Sequence, residues 1–168
     1  SHHSATIDAS GKTLLTTGWS GCSAVFDLKS KQQTHRLDDC RAERRRTYGG
    51  CFDDAGERLA YCMRGENRFS EGDDELNTIL VICDAKHPHR EINRFLLDGA
   101  PYRNLQFSPG DGKYILYVTS IDGRVQMFVL DSHTGEETEW SAYLLGLMVP
   151  YPVTRASGIR WVRPGAAT

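Results

Sequence analysis

The chain has 168 residues, 39% of them apolar and 25% charged, and a formal net charge of −2. That length suits one domain or part of a larger one, and the near-neutral balance excludes a globally basic nucleic-acid binder while allowing a local patch. No apolar run approaches the ~20 residues that span a bilayer, so no membrane partner is expected.

The chain opens Ser1-His2-His3-Ser4, with no Met and no secretory signal, and reads as a segment of something longer or as a tag remnant. Five cysteines, with no Cys-x-x-Cys spacing, imply a reduced, intracellular chain, cytoplasmic or nuclear. Cys51, Cys62 and Cys83 fall in predicted strands, where a free thiol acts as a small apolar side chain.

In chain order the apolar segments are short and punctuated by turns. The first unit, about 4–40, begins with a short strand and the turn Asp8-Ala-Ser-Gly11-Lys12. Thr13 to Thr17, the turn Gly18-Trp19-Ser20-Gly21, a strand from Cys22 to Phe26 closing on Asp27, and Gln32 to Leu37 complete it. The second, about 47–98, runs Gly50 to Phe52, the turn Asp53-Asp-Ala-Gly56-Glu57, Arg58 to Met63, Ile79 to Cys83 closing on Asp84, and Glu91 to Leu97. Its extra length lies in Arg64 to Asn77, a polar insertion at a hairpin tip.

The third unit, about 102–148, is the clearest. Leu105 to Phe107 leads into Ser-Pro-Gly-Asp-Gly, Tyr114 to Thr119 into Ser120-Ile121-Asp122-Gly123, and Val125 to Leu130 into Asp131-Ser-His-Thr-Gly135, before a last segment from Glu136. Asp-Gly between two β-rich runs is a strong hairpin signal, because a type I′ turn needs positive φ at both central residues. A fourth unit starts at 156–165 with Gly158-Ile-Arg-Trp161-Val162.

The turn glycines Gly11, Gly56 and Gly112 lie 45 and 56 residues apart, and the closing aspartates Asp27, Asp84 and Asp131 lie 57 and 47 apart. Four strands repeated at a period near 40–50 predict the blades of a propeller. The expected fold is all-β: a β-propeller segment of about three four-stranded antiparallel blades plus the first strand of a fourth.

LQFSPGDGKYILYVTSIDGRVQMFVLDSHTGEETE resembles the repeats of TolB-like and prolyl-oligopeptidase-type propellers, in which a Ser-Pro-Asp-Gly-Lys turn and an Asp-x-x-Thr-Gly turn mark each blade. ASGKTLLTTGWSGCSAVFDLKSK is similar to a WD-repeat, with Phe26-Asp27 where Trp-Asp usually stands. The corresponding pairs Cys83-Asp84 and Leu130-Asp131 also lack the Trp. Of the hydrogen-bonded tetrad that the WD resemblance implies, Asp122 is the best candidate and His3 a second.

The densest basic run is Arg41-Ala-Glu-Arg44-Arg45-Arg46, between the first two units. Guanidinium forks match phosphates and carboxylates bidentately, so the run is an anion clamp or a solvated interblade loop. Gly18-Trp-Ser20-Gly-Cys22 fails as a nucleophile elbow, since Cys22 stands at the final Gly and the context is strand-turn-strand. His87-Pro-His89 has no ligand partner at metal-site spacing, and the acidic run 71–75 lacks the alternation of an EF-hand loop. The apolar stretch from Trp140 to Tyr151 reads as blade-to-blade packing.

No catalytic, metal-binding or cofactor residues are expected. The expected function is a non-catalytic scaffold binding protein partners, as other subunits of a complex, through the disc face and rim loops. The residues expected to carry it are Trp19, Arg41, Arg44, Arg45, Arg46, Arg68, Phe69 and Arg124. Two alternatives stand beside it. One is the propeller gating domain of a serine hydrolase, implied by the prolyl-oligopeptidase resemblance. The other is an RNA- or phosphate-binding propeller using the 41–46 arginines.

Overall fold

The computed structural model describes residues 3–18, 23–37, 46–64, 78–97, 100–121 and 124–139, and every regular element among them is a β-strand. The strands are β1 (His3–Ile7), β2 (Thr13–Gly18), β3 (Ala24–Asp27), β4 (Gln32–Arg36), β5 (Arg46–Phe52), β6 (Arg58–Arg64), β7 (Thr78–Asp84), β8 (Glu91–Leu97), β9 (Ala100–Phe107), β10 (Tyr114–Ile121), β11 (Arg124–Asp131) and β12 (Glu137–Glu139). They form three separate four-stranded sheets, each an antiparallel meander in chain order: β1 to β4, β5 to β8 and β9 to β12. The unit expected at 156–165 and the apolar stretch 140–151 lie outside the described residues.

Two strands start earlier than their apolar residues suggest. β5 begins at Arg46 rather than near Gly50, because ladder pairing with β6 runs on to Arg46↔Arg64 across a bulge between Tyr48 and Gly50. β9 begins at Ala100 rather than near Leu105, again across an irregularity in its pairing with β10. A bulge lets polar residues extend a ladder without carrying the apolar alternation that marks a strand in sequence.

The first two turns match atom for atom, and the third is a variant with Ser108 in place of the aspartate. Asp8 Oδ1 accepts the backbone N–H groups of Lys12 and Thr13, each at 2.8 Å. Asp53 Oδ1 accepts those of Glu57 and Arg58 at 2.9 and 3.2 Å, and in the third sheet Ser108 Oγ accepts that of Tyr114 at 3.1 Å. Gly11, Gly56 and Gly112 stand two residues before their second strands with φ of 70°, 67° and 58°, the left-handed region that glycine enters without a Cβ clash.

The closing aspartates also match, paired in register with Thr13, Arg58 and Tyr114. Asp27 Oδ1 accepts the Ser30 N–H at 2.6 Å, Asp84 Oδ1 those of Lys86 and His87, and Asp131 Oδ1 those of His133 and Thr134. The next residue along, Leu28, Ala85 or Ser132, donates its N–H to the carbonyl of Lys12, Glu57 or Lys113. Short side chains that bind their own backbone favour such turns over continued ladder.

The period-2 alternation of the middle sheet supplies both cores. Leu59, Tyr61 and Met63 on β6, with Val81 and Cys83 on β7, pack against Leu15 and Val25 of the first sheet. Ala60, Cys62, Leu80 and Ile82 point the other way, against Leu105, Phe107, Ile115, Tyr117 and Leu130 of the third. β5 lies against β1 and β2 on one side and β9 on the other, so the first strands gather at the inner edge. The fourth strands face solvent: β12 is exposed throughout and β4 nearly so.

Candidate interaction face

Every sheet is a meander, so its connections alternate between two ends. One end carries the β1–β2, β3–β4, β5–β6, β7–β8, β9–β10 and β11–β12 turns. At the other, the loop end, β2, β4, β6, β8 and β10 close and β3, β5, β7, β9 and β11 open. Contacts between sheets align these ends. At the turn end, Asp54 Oδ2 accepts the Gly110 N–H at 3.0 Å. At the loop end, Thr47 Oγ1 hydrogen-bonds the Ser23 hydroxyl and accepts the Gly18 N–H at 3.3 Å.

The turn end is tied down by its own residues. Arg58 donates through Nε to Asp53 Oδ2 at 2.9 Å and through Nη2 to the carbonyls of Asp111 and Gly112 in the neighbouring sheet, at 2.5 and 3.1 Å. Its guanidinium lies 5.0 Å from the centre of the Phe107 ring. Ser132 Oγ donates to the Gly112 carbonyl at 3.0 Å, and Asn93 Nδ2 donates to the Ser132 carbonyl at 2.8 Å.

The backbone N–H groups of the turns hold the carboxyls of the closing aspartates below the ordinary range: Ser30 for Asp27, His87 for Asp84, His133 for Asp131. At Asp8 partial burial pushes the other way but is outweighed by the Ser10 hydroxyl and the N–H groups of Thr13 and Lys12. Sequence reasoning missed the Arg58 latch. Its signal was the Arg itself, standing where the other units have Thr13 and Tyr114.

Of the residues expected to bind partners, Trp19, Arg41, Arg44, Arg45, Arg68 and Phe69 lie outside the described residues, as does Asp122. Arg46 opens β5 and Arg124 opens β11, both at the loop end. Register pairs Ile121 with Arg124, so two residues separate β10 from β11, the spacing of a tight hairpin. His3 sits at the start of β1, opposite Gly18.

The remaining candidates sit elsewhere. His87 is exposed, 3.6 Å from Asp84 Oδ2 through Nδ1, while His89 lies with its ring centre 5.3 Å from that of His35. No group of three or more His, Cys, Asp or Glu placed to hold a metal occurs among the described residues. A cleft of about 490 Å3 between the first two sheets is lined by Asp8, Lys12, Asp27, His35 and Lys86, among others, a mixed-charge wall at the turn end. Burial pushes the thiols of Cys51 and Cys62 up to about 12 and that of Cys83 to about 11, so all three are protonated and unreactive at neutral pH.

Stacked four-stranded meanders, first strands innermost, are matched in solved structures. TolB from Acinetobacter baumannii aligns with 83% of this chain at a TM-score of 0.57 and 17% identity. The Cps50 (Swd1) beta-propeller domain from Myceliophteria thermophila aligns with 83% at 0.58 and 13% identity. The fold is a β-propeller. A 6-phosphogluconolactonase candidate from Bacteroides fragilis also aligns, with 82% of the chain at 0.51 and 18% identity. The chain spans only 32%, 39% and 36% of those three chains, respectively. No protein-family model matches the sequence, and no curated protein does. The three sheets are blades, and the TolB-like reading of the repeats agrees with the structural likeness.

Proposed function

We propose that this chain is part of a propeller that works as a non-catalytic scaffold, binding protein partners through the loop end of its blades. The observation that carries the reading is the asymmetry between the two ends. Turn-end carboxylates are consumed by their own backbone and by neighbouring blades, which leaves them little capacity to recognise a partner. In sequence, the connections that join strands at the loop end include the two longest, 38–45 and 65–77, which carry Arg and aromatic residues of the kind suited to anchor an interface. Paired strands fix the ends from which such connections leave, the usual scaffold for binding loops. The same reading places the protein in the cytoplasm or nucleus, supported by three unpaired buried cysteines.

The test compares two sets of substitutions in affinity capture from cell extract. Loop-end variants (Trp19→Ala, Arg68→Ala with Phe69→Ala) are expected to lose the partners of the parent chain. Turn-end variants (Lys29→Ala, Lys86→Ala) are expected to keep them. Loss confined to the turn-end set, or ester hydrolysis by the full-length protein, would overturn the proposal.

A further inference from the structure

The two junctions between blades use the same positions but fill them differently. Thr13, Arg58 and Tyr114 each stand two residues past a turn glycine, and Lys12, Glu57 and Lys113 one residue past it. Lys29, Lys86 and His133 each stand two residues past a closing aspartate. Between the second and third blades, Arg58 crosses the gap to the Gly112 carbonyl. Between the first and second, the short Thr13 and Gly56 hold those two positions, and both line the cleft of about 490 Å3.

The flanking charges differ too. Lys12 lines the first-blade wall where the latched junction has Glu57, and Lys86 the second-blade wall where it has His133. Both lysines leave pinned backbones: Asp8 Oδ1 accepts the Lys12 N–H and Asp84 Oδ1 the Lys86 N–H, each at 2.8 Å. Neither ammonium group pairs with a described carboxylate, whereas Lys113 lies 3.9 Å from the closing Asp131.

The aspartates and hydroxyls of the lining are engaged within the first blade. Asp8 Oδ2 accepts the Ser10 hydroxyl at 2.6 Å, and Asp27 Oδ1 accepts the N–H and hydroxyl of Ser30. The Thr34 hydroxyl donates to the Val25 carbonyl at 3.1 Å. His35 adds an imidazole to this wall. Apart from Lys86, the second-blade wall is Ala55, Gly56, Ala85 and Pro88.

We propose that the cleft binds a small organic anion, its carboxylate or phosphate bridging Lys12 and Lys86 and its apolar body lying on the Ala55, Ala85 and Pro88 wall. Each ammonium group offers three donors, and a shared anion turns them into charge-assisted hydrogen bonds. Asp8 and Asp27 offset the charge of the two lysines, so charge alone holds no ion there and burial of an apolar flank supplies the rest. The volume is that of a small-molecule site. This site goes beyond the scaffold reading and stands at the end of the blades opposite the proposed partner face, so partner capture does not depend on it.

Amide NMR of the 168-residue chain tests it, read at Ala55, Gly56, Ala85 and Lys86 during titration with phenyl phosphate, phenylacetate, inorganic phosphate and benzyl alcohol. The two organic anions are expected to shift these amides saturably at millimolar concentration, and inorganic phosphate and benzyl alcohol to bind more weakly. The tighter organic anion identifies the charged group. Lys12→Gln with Lys86→Gln is expected to weaken binding about tenfold, the order of losing two exposed ion pairs. Lys29→Gln with Lys31→Gln makes the same change in net charge outside the cleft and should leave affinity unchanged. Ala55→Phe places a ring on the apolar wall and should abolish the saturable shifts. All five substituted residues are exposed, so the variants should keep the parent spectrum elsewhere.

No saturable shift with either organic anion would overturn the proposal. So would benzyl alcohol or inorganic phosphate bound as tightly as both, equal losses in the two lysine pairs, or binding retained in Ala55→Phe. Capture by the loop-end variants judges the scaffold reading and these titrations the cleft, so each fails separately.

Discussion

Arg58 ties the second blade to the third through carbonyls that its own blade does not use. Its side chain is 16% exposed and that of Asp53 4%, so removing the guanidinium leaves a nearly buried carboxylate with only its two backbone donors. Arg58→Met is expected to destabilise the protein by about 2 kcal/mol, the order found when one partner of a buried pair is deleted. Arg58→Lys keeps the charge but cannot reach Asp53 and both carbonyls with one fork, and should recover only part of the loss. Urea midpoints of the three proteins check this, and equal midpoints would exclude a latch. The turn aspartates make a separate pH prediction. Asp8, Asp27, Asp84 and Asp131 are all held below their ordinary range, chiefly by backbone and hydroxyl donors. The folded state therefore binds fewer protons than the unfolded state, and the contribution is complete above the unfolded pKa of about 4 and lost as pH falls through the folded values. Carboxyl NMR titration should place these four midpoints below that value, with stability flat from neutrality to about pH 5 and falling in more acid solution.

Within each blade the element that sequence shows best is the turn. Gly11, Gly56 and Gly112 were legible because positive φ selects glycine whatever the surroundings, and Asp27, Asp84 and Asp131 because an Asx turn selects one residue type locally. Strand starts were less legible, since Arg46 and Ala100 enter their ladders by pairing across bulges rather than by apolar alternation. The contacts between blades were not legible at all: Arg58 reaches Asp111, and Gly135 meets Phe95, across separations that no local pattern encodes. Gly135 has φ of 77° and lies under the Phe95 ring, where an added Cβ would stand 2.6 Å from Phe95 Cδ1. Gly135→Ala should cost about 2 kcal/mol, from left-handed strain together with overpacking of the junction. Phe95→Leu removes the ring and should make the glycine substitution cheaper, so the double mutant is expected to be less destabilised than the two singles combined. Additive losses in thermal melts would show that the strain is confined to the turn.

At the scale of the whole molecule, the two packing layers described in the 168-residue chain meet on the second blade. The second blade packs both faces, β6 and β7 contributing alternate residues to the two cores, with Leu59, Ala60 and Leu80 wholly buried. In stacked-repeat architectures stability is roughly the sum of each unit's own stability and its interfaces, so in the 168-residue chain studied by itself the blade with both interfaces among the described residues is expected to open last. Amide exchange reports this directly, because protection follows the free energy of local or subglobal opening. β6 and β7 are expected to exchange slowest, with β2, β3, β10 and β11 intermediate and the solvent-facing β4 and β12 fastest. The strand termini at the loop end should follow the same order, since their amides belong to the ladders they close. Amides beside Arg46 and Arg64 would then be better protected than those beside Arg36, although all three residues stand at strand ends. Uniform exchange across the three blades would mean that they open as one cooperative body, and that neighbour packing does not grade the stability of the face proposed to bind partners.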